Sequence, residues 1–213
     1  AALLSGEVDM VYPVPVQDID RVNKNNGTSV LVGPELRTIF LFMDQFRDEL
    51  LYSNVKGKNP FKDLKVRQAM YHAIDIEAIK KKIMRGLSDP SAIMISPKLF
   101  DKSEGFQRLP YDRNKAKALL AEAGYPDGFE TRMDCPNDRY VNDEQICQAY
   151  AAMLARINVK VNLLAQTKSK YFGKVLAQND YDTSFFLLGW TPSTFDSHNV
   201  ISSLIACRGG EDK

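Results

Sequence analysis

Two amphipathic helices in direct succession constrain the fold of this chain more than any other feature of its sequence. Residues 59–84 read NPFKDLKVRQAMYHAIDIEAIKKKIM. Asp63 can cap a first helix in which apolar residues recur at i, i+3, i+4, i+7 and i+8, which forms one buried face. Asp75 can cap a second helix, Ile76 to Arg85, and Gly86 suits its left-handed end. Both helices therefore need further structure to pack against.

Predicted strands and helices alternate along the rest of the chain. Period-two or continuously apolar segments predict strands at residues 7–12, 29–32, 38–43, 129–133, 159–163 and 183–188. Capping residues and apolar periodicity predict further helices at residues 18–25, 112–123, 142–157 and 169–178. This alternation predicts an α/β lobe with a mixed or mainly parallel sheet flanked by helices.

The composition argues against several functional classes. The 213 residues carry a net charge of +1, so there is no electrostatic case for a nucleic-acid partner or an anionic membrane. No apolar run approaches the ~20 residues of a transmembrane helix. The sequence has no GxSxG elbow, HExxH motif or Walker loop, and we therefore expect no enzyme and no cofactor.

Cysteine and histidine offer few ligands for a metal. The three cysteines are Cys135, Cys147 and Cys207, with no CxxC pair, which predicts one structural disulfide or none and leaves an odd thiol. His72 and His198 have no second ligand at metal-binding spacing, and we expect no metal site.

Four ordered motifs resemble those of one protein family. Residues 59–84 resemble the signature NPF-D-x-x-VRQA-x-x-x-AID-x-x-x-I of the periplasmic solute-binding proteins of ABC importers, in the dipeptide, oligopeptide and nickel-binding family known as family 5. Residues 111–129 resemble its YD-x-x-x-AK-x-LLAEAGYP-x-GF element, and residues 157–161 resemble its IGVKV. Tyr181-Asp182 followed by residues 188–190, LGW, resembles its YD…GW pattern.

The resemblance implies a binding protein rather than a catalyst. It implies that residues 1–213 form a single α/β lobe, the second of two, with the first lobe and the C-terminal tail of this lobe outside the sequence. It implies an exported, periplasmic protein whose signal peptide also lies outside it. The partners implied are a peptide or another small-molecule ligand, bound in the cleft between two lobes, and an ABC permease in the membrane.

One candidate binding loop spans residues 135–142. In dipeptide-binding members of the family, an arginine in the corresponding loop receives the terminal carboxylate of the ligand, and Arg139 stands there. A guanidinium suits this role because it offers two parallel hydrogen bonds to a carboxylate. The alternative is a surface ion pair of Arg139 with Asp138 or Asp143. Tyr140 is a candidate to stack beside the ligand.

The second candidate loop spans residues 188–196 and departs from the family pattern GW-x-A-D-Y-x-D. Ser193 stands where the first aspartate commonly holds the α-ammonium of a peptide, while Asp196 matches the second acidic position. The departure leaves open a peptide held differently, a blocked or unusual peptide, or a non-peptide solute such as a metal complex. We expect the Trp190 side chain either to form part of the wall of the ligand cavity or to pack in the core with its indole N–H hydrogen-bonded.

Two further functions are possible from the residues alone. A hydrolase would need Cys135 as nucleophile and His198 as base, although their spacing does not show that they meet. A protein-interaction role, such as a peptide sensor or a folding helper, is the other alternative.

Overall fold

The computed structural model describes residues 1–96, 105–176, 181–194 and 196–206. The helices are α1 (Ala2–Ser5), α2 (Ile19–Lys24), α3 (Leu64–His72), α4 (Ile76–Ala78), α5 (Arg113–Glu122), α6 (Asp143–Ala155), α7 (Lys168–Val175) and α8 (His198–Leu204). The strands are β1 (Thr38–Met43), β2 (Phe129–Pro136), β3 (Val159–Gln166) and β4 (Phe185–Trp190). Short 3₁₀ turns, Val16–Asp18 and Pro60–Lys62, precede α2 and α3.

The four strands form one mixed sheet in the order β1-β4-β2-β3. Strand β2 runs parallel to β3 and β4, and β1 pairs with β4 antiparallel. The parallel pair β2 and β3 is joined through α6, as a crossover between parallel strands requires. The predicted α/β lobe with a mixed sheet flanked by helices is therefore confirmed.

One face of the sheet carries the hydrophobic core. Alternate residues of β2 and β4 point into it, because successive side chains on a strand face opposite sides. The core on this side includes Phe129, Met133, Phe185 and Leu187 from the strands, with Phe61, Val66, Ala69, Ile146 and Leu154 among the residues packed on them. The residues of β1 are all only half-buried, whereas the sequence predicted a strand buried on both faces.

The helix pair at 59–84 forms largely as predicted. The Asp63 side chain accepts a hydrogen bond from the Lys65 N–H at 2.7 Å, and Asp75 accepts one from Ala78 at 2.9 Å. The second helix is α-helical only through Ala78 and then continues as a π-helical turn, Ile79–Ile83. A π turn has i→i+5 instead of i→i+4 hydrogen bonds, and over a single turn the apolar periodicity of the sequence does not distinguish the two forms.

Two predicted strands, residues 7–12 and 29–32, are not strands in the structure. Their apolar side chains lie in solvent, with Met10 82% exposed and Leu31 99% exposed. A strand forms only when a neighbouring strand takes up its backbone hydrogen bonds, so apolar alternation alone does not produce one.

A buried ionic cluster attaches α7 to the other face of the sheet. The Asp134 carboxylate accepts hydrogen bonds from the Lys174 ammonium and the Thr183 hydroxyl, each at 2.6 Å. Burial of a charge is tolerated when it is paired and hydrogen-bonded in this way. Local sequence patterns do not reveal this cluster, because its members are far apart along the chain.

Some predictions fall outside the described residues. The last residues of the helix predicted at 169–178 do so, as does Cys207.

Candidate ligand-binding site

A buried carboxylate orders the loop between β2 and α6. Asp143 accepts hydrogen bonds from the backbone N–H groups of Arg139, Tyr140 and Glu144, each at 2.9 Å. Asn142, the first residue of the helix predicted at 142–157, adopts a left-handed conformation, and its side chain donates to the Ile83 carbonyl at 2.9 Å. Asn142 is the N-cap residue of α6 by position, as predicted, but its side chain makes no capping hydrogen bond, and Asp143 accepts the Glu144 N–H of the first turn instead.

The Tyr140 hydroxyl joins this loop to the end of β4. It accepts a hydrogen bond from the Gly189 N–H at 2.9 Å and lies 3.4 Å from the Gly189 carbonyl, to which it donates. A Cβ atom on residue 189 would lie only 2.7 Å from the Tyr140 ring and 2.5 Å from Ile39. The glycine of the GW motif thus makes room for the tyrosine.

Two guanidinium groups flank the Tyr140 ring. Arg139 lies 5.0 Å from the ring centre and Arg37 lies 5.5 Å from it, which is cation–π distance for both. The Arg37 Nε donates to the Thr191 hydroxyl at 3.2 Å, and its Nη2 lies 2.9 Å from a Glu35 carboxylate oxygen. Arg37 was missed from sequence because it lies about a hundred positions before Arg139 and outside every motif.

Among the described residues, the Arg139 side chain takes part in none of the ion pairs. The two aspartates considered as its partners are engaged elsewhere: Asp138 accepts from the Lys168 N–H at the start of α7, and Asp143 orders the loop. Arg139 is exposed, and its guanidinium is oriented by the Tyr140 ring.

The electrostatics of Tyr140 favour its neutral form. Burial raises the pKa of the phenol, while the hydrogen bond with Gly189 and the guanidinium groups of Arg139 and Arg37 act in the opposite direction. Because the net shift is upward, Tyr140 keeps its proton at neutral pH and presents an uncharged ring to both arginines.

Trp190 and Ser193 share a different partner. The Trp190 indole N–H donates to Asn199 Oδ1 at 2.9 Å, and the Ser193 backbone N–H donates to the same oxygen at 3.3 Å. Trp190 follows Gly189 on β4, so its side chain points to the opposite face of the sheet from Tyr140. The indole N–H is satisfied within the lobe, and the role of Trp190 in walling a ligand cavity stays a prediction.

Asp196 lies at the start of α8 and is exposed. Its carboxylate accepts the His198 N–H at 2.8 Å. Hydrogen bonds from the Thr194 side chain and from the backbone lower the pKa of Asp196, so it is a carboxylate at neutral pH. The binding roles of Ser193 and Asp196 stay predictions.

Arg37 and Tyr140 also line a large, mainly apolar cavity of about 1350 Å³. Most of its other walls come from residues between 9 and 35, from β1, from α3, α4 and α6, and from residues between 84 and 96. This volume exceeds the roughly 300–1,000 Å³ of ordinary small-molecule pockets. Neither Arg139 nor Trp190 belongs to its lining.

Cys135 has no free thiol with which to act as a nucleophile. It forms a disulfide with Cys147, with 6.6 Å between the Cα atoms, and both residues are fully buried. The disulfide closes the chain around the whole loop from Pro136 to Ile146. The hydrolase alternative based on Cys135 and His198 was therefore wrong.

The whole chain matches one family model. The model for the bacterial extracellular solute-binding proteins, family 5 Middle, covers residues 1–212. The chain belongs to family 5 of the bacterial extracellular solute-binding proteins. The resemblance predicted from the four motifs is thereby confirmed, and the named relatives are binding proteins.

A curated relative is the glutathione-binding protein GsiB of Salmonella typhimurium, 29% identical over 208 residues. This match covers 97% of the chain and 38% of the relative, so the chain spans well under half of that protein's length.

Solved structures give the same fold. DppA of Helicobacter pylori, in complex with the peptide STSA, superposes with a TM-score of 0.80 at 23% identity, covering 95% of this chain and 36% of that one. AgaA of Agrobacterium tumefaciens R10, in complex with agropinic acid, gives a TM-score of 0.73 at 29% identity, covering 94% and 38%. Among the helices that the structure describes, none combines the length and apolarity needed to cross a membrane.

Proposed function

We propose that this chain is the second lobe of a periplasmic solute-binding protein that captures a peptide or peptide-like solute and delivers it to an ABC permease. The solute lies in the cleft between this lobe and the first, and closure around it produces the form that the permease recognises. The protein has no catalytic role in this proposal. The names of its relatives make glutathione and short peptides the first solutes to test.

The observation that carries the proposal is the state of Arg139. Its guanidinium is exposed, is oriented on the Tyr140 ring, and has no ion pair within the described part of the lobe. A cation held in place without a partner is suited to receive a carboxylate from outside. The loop that carries it is fixed by Asp143 and by the Tyr140–Gly189 hydrogen bonds, so little ordering is needed when a ligand binds.

The test is calorimetry on the longer protein that carries this lobe. Glutathione and a set of dipeptides are titrated into the natural sequence and into Arg139→Gln and Arg139→Lys variants. We expect Arg139→Gln to weaken binding roughly 10- to 100-fold, because a hydrogen bond to a charged group contributes about 1.5–3 kcal/mol. Arg139→Lys should retain part of the affinity, since it keeps the charge without the fork.

The control is Arg113→Gln, which removes an exposed arginine on α5, outside both candidate loops. If the Arg139→Gln variant binds every probe as tightly as the natural sequence does, the carboxylate receptor lies elsewhere. No binding of any peptide-like probe to the natural sequence would contradict the proposal.

A non-peptide solute is the second candidate, favoured by Ser193. A neutral hydroxyl at the usual ammonium position removes the charge that selects a peptide amino terminus. The relative AgaA is seen in complex with agropinic acid. Binding of small organic acids in the same titrations, with no binding of peptides, would favour this candidate.

A further inference from the structure

The strand register brings Arg37 to the candidate site. Thr38 pairs with Trp190 in the antiparallel β1–β4 ladder, so the residue before Thr38 lies beside the residue after Trp190. The hydrogen bond from Arg37 Nε to the Thr191 hydroxyl closes this pair at 3.2 Å. Arg37 is therefore fixed at the end of the sheet where the loop bearing Arg139 also lies.

Two guanidinium groups lie beside Tyr140, and one of them has an exposed carboxylate as its partner. Arg37 and Arg139 both lie within cation–π distance of the ring. The Asp143 oxygens are already occupied by backbone N–H groups. Only Glu35 pairs directly with either arginine among the described residues, at 2.9 Å from Arg37.

The Glu35–Arg37 ion pair is unequal in its burial. The Arg37 side chain is 22% exposed, whereas that of Glu35 is 53% exposed. An ion pair with one partner largely in water contributes little free energy, because water screens and solvates the charges. Another carboxylate can therefore replace Glu35 on Arg37 at small cost.

We propose that Arg37 is a second carboxylate receptor, and that the solute carries two carboxylate groups, one for Arg139 and one that displaces Glu35 from Arg37. This inference rests on the proposed function and specifies its substrate class. Ser193 is consistent with this proposal, since a neutral residue at that position removes one negative charge that would repel a dicarboxylate.

The test compares matched probes that differ by one carboxylate. Alanyl-glutamate is compared with alanyl-glutamine, and glutathione with γ-aminobutyryl-cysteinyl-glycine, so that each monocarboxylate keeps the terminal carboxylate and lacks only the second one. The affinities are measured by calorimetry on the longer protein, for the natural sequence and for Arg37→Gln, Arg37→Lys and Glu35→Gln. Arg113→Gln again serves as the control for loss of one positive charge.

We expect the dicarboxylate of each pair to bind at least 10-fold more tightly. Arg37→Gln should remove that preference while leaving the monocarboxylate affinity nearly unchanged, and Arg37→Lys should restore part of it. Glu35→Gln should strengthen dicarboxylate binding, because the competing carboxylate is gone; a residue with only a structural role would not give this gain. Thermal unfolding of each variant shows whether the fold is retained.

The outcomes separate the two proposals. Equal binding of both members of each pair, insensitive to Arg37→Gln, would overturn the role of Arg37 and leave the transport function standing. No binding of any probe to the natural sequence would overturn the proposed function and this inference together.

Discussion

At the scale of single residues, the site depends on a glycine and a tyrosine that the sequence alone does not connect. Gly189 is the middle residue of the LGW motif, and Tyr140 lies 49 positions earlier. Their contact holds the two candidate loops together. The Tyr140 hydroxyl uses both its donor and its acceptor capacity on the Gly189 backbone, so the ring that orients Arg139 and Arg37 is itself held in place.

We expect Gly189→Ala to displace Tyr140. The added Cβ would lie 2.5 Å from Ile39 Cδ1 and 2.7 Å from Tyr140 Cε1, so both side chains must move. Such overpacking typically costs about 1–3 kcal/mol. Urea unfolding should show this loss, and solute affinity should fall with it.

The matched control is Gly33→Ala, where an added Cβ meets nothing within 4 Å. Its stability should change by less than about 0.5 kcal/mol. Equal stability of the Gly189→Ala variant and the natural sequence would show that the loop relaxes freely and that the tyrosine is not fixed.

At the scale of elements, a disulfide joins the end of β2 to α6. Cys135 and Cys147 are separated by 12 positions, and the loop they enclose contains Arg139, Tyr140 and Asp143. The bond limits how far the strand and the helix can separate. The sequence offered one disulfide or none among three cysteines, and the structure pairs the two that flank the candidate loop.

We expect the double variant Cys135→Ala with Cys147→Ala to fold but to lose roughly 3 kcal/mol of unfolding free energy. The chain-entropy model gives about this value for a closed loop near 15 residues. Denaturation in urea should show the loss without reductant, and the difference from the natural sequence should shrink when reductant is present throughout.

Under native conditions a reductant should react slowly with the disulfide, because both cysteines are fully buried. Unfolding of the double variant at the same urea concentration as the oxidised natural sequence would show that the disulfide contributes no net stability.

At the scale of the whole molecule, the described lobe presents surfaces that it does not cover itself. Met10 and Leu31 are almost fully exposed, and residues 9–35 border the cavity of about 1350 Å³. The chain spans 38% of the relative GsiB. A lobe of this kind offers one wall of a cleft, and we propose that the other wall belongs to the first lobe.

We expect the isolated 213-residue chain to bind solute weakly. Small ligands are held tightly when 70–90% of their surface is enclosed, which a single lobe does not achieve. Calorimetry should give an affinity on the order of 100-fold weaker than that of the longer protein, since the loss of the contacts from the other lobe removes several kcal/mol of binding free energy.

Near-UV circular dichroism, or a cooperative urea transition, serves as the control that the isolated chain is folded. Tight binding by a folded isolated chain would place the whole site within this lobe.

Much of the fold could be predicted from local patterns. The caps at Asp63 and Asp75, the strand at Thr38–Met43 and the helix at Arg113–Glu122 all follow from residues within one or two turns of each other. In the same way, the motifs that identified the family are continuous stretches. Arg139 and Tyr140 were found as candidates because they lie in a loop that the family pattern marks.

The sequence by itself determined the family, the class of fold and the positions of most helices, because caps, periodicity and continuous motifs act over short distances along the chain. Only the tertiary structure decided the strand order, the cysteine pair, the contact between Gly189 and Tyr140 and the position of Arg37 beside Arg139. It also left residues 7–12 without strand structure. These features depend on sheet register and on neighbouring strands, which join residues far apart in the chain and leave no local signal.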